Sequence, residues 1–402
     1  MTSPQTCIVI GGGPAGLLAA AHLADAGVQT TLLEAGACFG GRAASQRRAG
    51  FDLNLGPHAL FARGAGMREL RAVGVDPPRW NPTSPRSVFL SKGKPRRAPG
   101  ATAALTRWLA SVMRGPVADL HAISVNEWLE RSMTSAAARD SAAALVRVTT
   151  YVADHEQLSA DVAAHQVRTG LRSGVRYVKG GWQWLVDALA GEARRRGAHL
   201  RTRASARALD GDGAGGWSVA LEDEALHADA VIVATGSPAR TARLLGERTP
   251  AAPGPAAEVS SLDLGLERLP RGGRRFALGI DQPTYLSRHS PPEHRGGELI
   301  TVASYTRQPL AELEAVADAV QPGWREVLTL HRHLPRMTAV SAIATPQTGG
   351  LAGRPGVTVA PGLHVAGDWI GPEGWLTDAS LASAAAAARA VAGTRTGAVV
   401  PV

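Results

Sequence analysis

IVIGGGPAGLLAAAHLADAGVQTTLLE, residues 8–34, reads as strand, tight turn, helix and second strand in immediate succession. Ile8, Val9 and Ile10 form the kind of apolar run that a buried parallel strand shows. Gly11, Gly13 and Gly16 follow at GxGxxG spacing, with Pro14 and Ala15 between the last two, and Ala15 to Ala26 reads as a helix. The first glycine serves the tight turn, the second lets a pyrophosphate approach the backbone, and the third lets the helix pack close to the sheet. The helix N-terminus then offers free N–H groups and the positive end of its dipole to phosphates. Thr30 to Leu33 is the next strand. It ends in Glu34, 18 residues beyond Gly16, where a carboxylate accepts hydrogen bonds from both ribose hydroxyls. With every part in place, the spacing predicts a dinucleotide site rather than an ordinary βαβ turn.

At 402 residues the chain is long enough for two to three domain-sized units. No uninterrupted apolar run reaches the roughly 18–20 residues that a membrane span needs. The first basic residue is Arg42, so no basic region precedes the apolar start as it does in a secretory signal. Cys7 and Cys38 are the only cysteines, which excludes a disulfide framework, and a cytoplasmic chain is the expectation. There is neither a CxxC pair nor a Cys/His cluster, so no metal site is expected. The net charge is +9, carried almost wholly by arginine, since Lys92, Lys94 and Lys179 are the only lysines. Such Arg and Ala enrichment is what a GC-rich genome gives; the other reading is peripheral attraction to an anionic membrane surface or an acidic partner. The densest basic cluster, Lys92 to Arg97, is punctuated by Gly93 and Pro95 and reads as a solvated turn between short strands. It lacks the aromatic interleaving that nucleic-acid binding uses.

The nucleotide-binding pattern resumes late in the chain. Leu200 to Leu209 reads as a strand, Trp217 to Leu226 as a hairpin arm, and Ala228 to Ala234 as a buried strand running into Thr235 and Gly236. Leu363 to Ala366 reads as a last strand before Gly367 and Asp368, and an Ala-rich helix follows from Thr377 to Ala392. Two insertions interrupt these pieces. The first is largely helical by pattern, over 101–113, 124–131 with Ser124 and Glu127 as a capping box, 135–153 and 182–196. The second mixes strands at 261–266, 284–287 and 298–305 with a helix from Leu310 to Val320, and 251–255 is a linker. A second GxGxxG, of the kind an NADPH module would carry, is missing.

Past Glu34 the chain reads AGACFGGRAAS, which places Gly40, Gly41 and Arg42 a few residues beyond the ribose acid. Together with Gly367-Asp368 this resembles the FAD-dependent amine oxidase superfamily. The stretches GFDLNLGPHAL (50–60), YVKGGWQWLVDALA (177–190), PTYLSRHS (283–290) and GLHVAGDWIGPEGWLTDASLASA (362–384) resemble its bacterial phytoene-desaturase-like branch, the carotenoid desaturase-like NAD(P)/FAD-dependent oxidoreductases. The resemblance implies an α/β fold. A Rossmann-type FAD-binding domain would be assembled from 1–60, 191–256 and 346–402, with a discontinuous α+β substrate domain, 61–190 and 257–345, inserted into it. FAD is the implied cofactor, held non-covalently because neither cysteine lies beside Trp375.

Site residues follow from the same resemblance. Besides the glycine turn, Glu34 and Ala35 would meet the adenosine, as would Ala206 through its backbone. Arg42 would pair with the pyrophosphate, where a planar fork suits two oxygens, unless it is a surface loop arginine. Gly41 would let backbone pass close to the flavin, and Ala234, Thr235 and Gly236 close the far strand. Asp368 resembles the acid that binds the ribityl hydroxyls; a helix N-cap is its other reading. Gly374, Trp375 and Leu376 precede the last helix, and their N–H groups would face the flavin N1 and C2 carbonyl.

Gly56, Pro57 and His58 would lie against the flavin, with His58 shaping the site, moving a proton, or serving as a structural histidine. Tyr285, His289 and Tyr305 fall on insertion strands that would form the sheet above the flavin, and are the remaining candidates for lining substrate. His331, Arg332 and His333 could clamp an anion, but a helix end or surface loop is the better account, and helical core packing is expected for Trp182 and Trp184.

The implied activity is removal of two hydrogens from a small or apolar metabolite such as a biosynthetic intermediate, hydride passing to flavin N5, with reoxidation by dioxygen or a quinone. Three alternatives stay open. One is an amine oxidase acting on an amino metabolite or natural product, with Trp369 and Trp375 as its aromatic pair. The others are a non-redox flavin-dependent isomerase and an FAD-binding regulatory protein.

Overall fold

The computed structural model describes residues 5–82, 87–96, 103–211, 213 and 215–393. Its central feature is a six-stranded sheet that gathers strands from three distant parts of the chain. In spatial order these are His199–Arg201, Gln29–Leu33, Thr6–Ile10, Ala230–Val233, Leu363–Val365 and Thr358–Ala360. The first five are parallel and only the last pair is antiparallel. Residues 7–10 are buried, as an apolar strand covered on both faces must be. Parallel neighbours need long crossovers; the helix Pro14–Asp25 makes the first, and the two insertions fall within the connections to the strands at 199–201 and 363–365.

The helix Pro14–Asp25 starts on Gly13, which is extended at the N-cap, with Pro14 in the first turn, where its missing N–H costs nothing. Gly16 sits so close to the sheet that a Cβ there would fall 1.9 Å from the Gly11 carbonyl oxygen. That approach lets the Ala-rich helix Thr377–Gly393 pack on the same face, burying Ala384, Ala385, Ala387 and Ala388. The helices Ala65–Ala72 and Gly181–Arg195 join this core through Met67, Leu70, Trp182, Leu185 and Leu189, although most of their length falls in the insertion by sequence.

The insertions build a second sheet of seven strands. Its order is Leu328–Val340, Ala257–Leu266, Glu298–Ser304, Thr284–Arg288, Phe276–Gly279, Ser87–Ser91 and Lys94–Arg96. The helix Leu310–Val320 covers its core through Leu313, Ala317 and Val320. A helical layer, Ala103–Arg114, Val125–Ser132, Ala136–Thr150 and Ala160–Ser173, shares an apolar core centred on Trp108, Trp128 and Leu158.

Four local expectations change. The strand expected over 200–209 breaks into His199–Arg201 and Ala208–Gly211. Arg203 takes a positive φ of 53°, and the N–H groups of Arg203 and Ala204 donate to the carbonyls of Gly36 and Glu34, so the segment turns toward the Glu34 loop. Ala206 therefore lies in irregular chain rather than in a strand. His331, Arg332 and His333 lie within the long strand Leu328–Val340, not on a helix end or loop, because each of residues 331–334 is a ladder partner of one of Ser261–Leu264. The capping box at Ser124 is half formed. Its hydroxyl accepts from the Glu127 N–H at 3.2 Å, while the Glu127 carboxylate turns to Arg131.

Gly16→Ala is expected to lower unfolding stability by about 1–3 kcal/mol through overpacking against Gly11. Urea denaturation checks this, and a variant as stable as the wild type would mean that the helix does not need its close approach.

Candidate functional site

At the C-terminal edge of the parallel sheet, residues from both ends of the chain converge on one gap. Glu34 ends its strand with both carboxylate oxygens held by backbone. Oε2 accepts from the Gly12 N–H at 2.7 Å and Oε1 from the Gly36 N–H at 2.6 Å. This fixes the carboxylate and leaves further lone pairs for hydroxyl donors. Across the gap, Arg42 sits in the tight turn Gly41–Ala43 and reaches Asp368 in a two-pronged pair, Nη2 to Oδ1 at 2.9 Å and Nη1 to Oδ2 at 3.3 Å. Nη2 also donates to the Gly236 carbonyl at 3.3 Å. Burial works against the Arg42 charge, but Asp368 outweighs it and holds the guanidinium pKa above its ordinary value. Asp368 is itself buried and accepts from the Ser341 N–H at 3.0 Å, while the Ser341 hydroxyl donates to the Gly236 carbonyl at 2.6 Å.

The glycines around this gap fit a flat, phosphate-linked cofactor. A Cβ on Gly13 would meet only the Gly40 carbonyl oxygen, at 3.9 Å, and one on Gly41 only the Gly13 Cα, at 3.7 Å, so the two backbones face open space. Gly236 faces nothing within 4 Å. The turn before the last helix is different. Gly374 is packed so closely that a Cβ would lie 2.8 Å from the Asp378 Cβ, and Leu376 is held at a positive φ of 54°. Among the described residues, nothing accepts from the N–H groups of Trp375, Leu376 or Thr377. A buried turn with free donors is poised for a carbonyl ligand.

An aromatic wall faces this turn from the inserted part of the chain, and it contains all four tyrosines of the protein. The indole Nε1 of Trp375 donates to the Thr150 carbonyl at 2.9 Å. The next residue, Tyr151, shares a 2.6 Å hydrogen bond with the Tyr285 hydroxyl. Tyr285 stacks on Tyr305 with ring centres 5.5 Å apart. Two positions along its strand, Ser287 accepts from the Tyr177 hydroxyl at 3.1 Å and pairs with His289 Nε2 at 2.8 Å. Tyr177 and His289 are stacked at 4.4 Å. His58 lies on the Trp182 ring at 4.7 Å with its Nδ1 2.9 Å from the Gly56 carbonyl.

Burial keeps this wall neutral. It pushes the Tyr177 hydroxyl up to about 12 and raises Tyr151, Tyr285 and Tyr305 as well. Burial also lowers His58, and it takes His289 down to about 3, with the His58 charge as a second cause. A cavity of about 30 Å³ opens beside His58, lined by Asp52, Asn54, Tyr177, His289 and His294. Its Asp52 is claimed by Arg47 at 3.6 Å.

The structure brings together Glu34, Arg42, Gly236 and Asp368, and separately His58, Tyr285, His289 and Tyr305. It does not bring Trp369 and Trp375 together as a pair. Trp369 packs behind the parallel sheet with Leu363 and Val365, while Trp375 packs into the helical core. Tyr151, Tyr177 and Ser341 escaped the sequence reading as site residues. Tyr177 lay in a stretch already singled out, whereas nothing around Tyr151 or Ser341 marked them. Trp182 is buried in the core and Trp184 is exposed. Arg332 is committed to the buried Asp263, with Nε to Oδ2 at 2.9 Å, so it is not a free anion clamp. Among the described residues, no group of three His, Cys, Asp or Glu could hold a metal, and no helix is long and apolar enough to cross a membrane.

A nucleotide-binding sheet with a neutral aromatic wall over its carboxyl edge defines a cofactor-dependent oxidoreductase. The comparisons specify which one. The family model described as flavin containing amine oxidoreductase matches residues 14–266, and the chain belongs to that family. It is a flavin-dependent oxidoreductase whose cofactor is FAD. An L-amino-acid oxidase from Pseudechis australis is 44% identical over 78 residues, which is 19% of this chain and 15% of that protein. The likeness to that relative therefore spans only a small part of its length. Cyclohexylamine oxidase from Brevibacterium oxydans superposes with a TM-score of 0.77 at 16% identity, covering 98% of this chain and 100% of that one. An oxidoreductase from Methanosarcina mazei gives 0.73 at 19% identity, with 95% and 99% covered. These two show that the fold is shared.

Asp368→Asn removes the buried counter-charge of a half-exposed Arg42 and is expected to cost about 1–3 kcal/mol of stability. Urea unfolding measures the loss, and a cost below about 1 kcal/mol would mean that the pair behaves as a surface contact. His289 predicts a pH effect. Its native value of about 3 lies below the 6.5 of a free imidazole, so on acidification the unfolded chain takes up a proton that the native chain refuses. Stability therefore falls between pH 6.5 and 3, and His289→Phe should flatten that slope by up to about 1.4 kcal/mol per pH unit. Unchanged slopes in chemical denaturation across pH 4–6 would show that His289 is exposed to solvent in the native state.

Proposed function

We propose that this chain is an FAD-dependent desaturase or oxidase that removes two hydrogens from a small, neutral, largely apolar metabolite. The observation that carries the reading is the neutral wall. Tyr151, Tyr177, Tyr285 and Tyr305 are uncharged at neutral pH as tyrosines ordinarily are, and burial lowers His58 and His289 so that they are uncharged there too. A charged substrate would lose its hydration there without gaining a counter-ion. A neutral one loses little and buries apolar surface against the rings.

In this reading Glu34 holds the adenosine ribose, Gly11, Gly13 and Arg42 hold the pyrophosphate, Asp368 holds the ribityl chain, and the turn at 374–376 receives the carbonyl end of the ring. The bound flavin supplies a two-electron acceptor at N5 that is restored by dioxygen or a quinone. The protein's own part is to position the substrate and shield the ring from bulk water, and the departing proton passes to solvent, since His289, held at about 3, takes up none at neutral pH. The wall provides no strong base, in keeping with a substrate C–H that leaves as hydride.

The cavity beside His58 holds about one water at its present size, so substrate must part the segments that close it. Lys179 and Glu293 form an ion pair between these two segments, next to the lining residues Gly180 and His294. Both partners are exposed to solvent, so the latch is weak.

The stacked Tyr285 and Tyr305, and a neutral His289 able to accept from N–H, also suit a neutral amine, which supports a second reading as an oxidase of amino metabolites. Anaerobic mixing of the FAD-loaded protein with neutral cyclic or polyene compounds, and with a panel of amines, separates the two. Bleaching of the flavin by the former without ammonia is expected, with kcat independent of pH from about 6.5 to 9. Ammonia release from an amine favours the second reading. Rapid bleaching by NADPH alone overturns both.

A further inference from the structure

Arg354 is only 4% exposed, yet among the described residues its guanidinium forms no ion pair. Nη1 donates to the Asp368 carbonyl at 3.1 Å and Nη2 to the Gly374 carbonyl at 2.8 Å, while Nε has no partner. The two nearby carboxylates are committed elsewhere. Asp368 is engaged by Arg42 and the Ser341 N–H, and Asp161 accepts from Ser159, Val162 and Leu351. His165, also close, is kept low by burial and by the Arg354 charge. Burial lowers Arg354 to about 10, which still leaves it charged at neutral pH. A buried cation with carbonyls as its partners is costly, and a fold keeps one where it performs a task.

The place of that charge supplies the task. The two carbonyls it holds stand at either end of the loop 368–374, which leads into the helix Thr377–Gly393. The guanidinium also lies 5.9 Å from the centre of the Trp375 ring. Immediately beyond it come the N–H groups of Trp375, Leu376 and Thr377, which lack acceptors, and Leu376 keeps its positive φ. Arg354 thus braces the turn from behind, through the carbonyls, while the amides remain free. Its charge adds to the positive end of the helix at the same spot, against the buried Asp378 carboxylate of the first turn, which burial raises to about 6.

We propose that Arg354 is a positioning residue for the cofactor: it locks the 374–376 turn and places a fixed buried positive charge behind the end of the flavin that becomes negative on reduction, raising the flavin's midpoint potential. This rests on the placement of that end at 374–376 given above. It assigns a role to a residue outside the sequence motifs and apart from any contact with substrate.

The test measures midpoint potential and the dissociation constant for sulfite, a probe of positive charge near the ring, on the FAD-loaded wild type, Arg354→Gln and Arg354→Lys. Arg354→Gln keeps a hydrogen-bond donor and loses the charge. It should show a lower potential and sulfite binding weaker by about tenfold or more. Arg354→Lys keeps a charge that a buried amine loses more readily than a guanidinium. Its potential should match the wild type at low pH and fall below it as pH rises toward 9, the Asp378 titration near 6 being common to both. If Arg354→Gln fails to retain FAD, the Arg354→Lys profile decides alone. Potentials in both variants that track the wild type at every pH overturn the proposal. A wild-type protein that binds no FAD overturns the underlying placement instead.

Discussion

The ion pair between Arg42 and Asp368 is the contact on which the rest of this molecule depends. It joins residues 326 positions apart, across a gap that also receives the ends of the strands carrying Glu34 and Gly236. A buried pair is stabilising only when its remaining hydrogen-bonding capacity is met. Here Ser341 completes Asp368, and the Gly236 carbonyl takes a further donor of Arg42. Four separated segments are thereby fixed to one another at the edge of the parallel sheet. Because the Arg42 side chain is also open to the gap, the same group that holds the segments together is available to an anionic ligand.

Two electrostatic regimes meet across that gap. The sheet side is built from a guanidinium, two carboxylates and helix N-termini, the vocabulary of phosphate and ribose recognition. The inserted side is built from rings and hydroxyls that satisfy one another, from Tyr151 through Tyr285 to Ser287 and His289. The division follows from how each side is made. A strand–helix junction leaves backbone dipoles unpaired at the sheet edge, whereas the faces of the second sheet bury alternate side chains and favour neutral ones. Cofactor binding and substrate choice are thus handled by different physics on different parts of the chain.

The parts legible in the sequence are those where local pattern and global fold agree. Strand, glycine turn, helix and Glu34 sit within 27 consecutive residues, and each can be read from its neighbours. The Leu310–Val320 helix likewise declares its bounds by periodicity alone. What escaped was set by distant contacts. Leu200 to Leu209 has the composition of one strand, yet the Glu34 loop captures its middle through the amides of Arg203 and Ala204. His331 to His333 look like a polar loop because their strand lies at the edge of its sheet, where polar residues are tolerated. The aromatic wall could be read only in part, since Tyr285 lies on a strand with a clear pattern, whereas Tyr305 and His289, expected on strands, each fall one residue past one, and Tyr151 is placed by a left-handed turn at the end of its helix. Arg354 stands in a glycine-rich loop with nothing nearby to distinguish it from the many surface arginines.

The strand order has a consequence for biosynthesis. Thr6–Ile10 pairs with Ala230–Val233, which pairs in turn with Leu363–Val365. During translation the first strand and its helix emerge early, but one flank of the strand stays unpaired until more than half of the chain has followed. Asp368 arrives later still, close to the last helix. The cofactor groove is therefore completed only after Asp368 has been made, and the earlier strand, apolar and open-edged, spends that interval needing shelter from other chains. Loading of FAD must wait until the segments around Arg42 and Asp368, 326 positions apart, have both been made and have met.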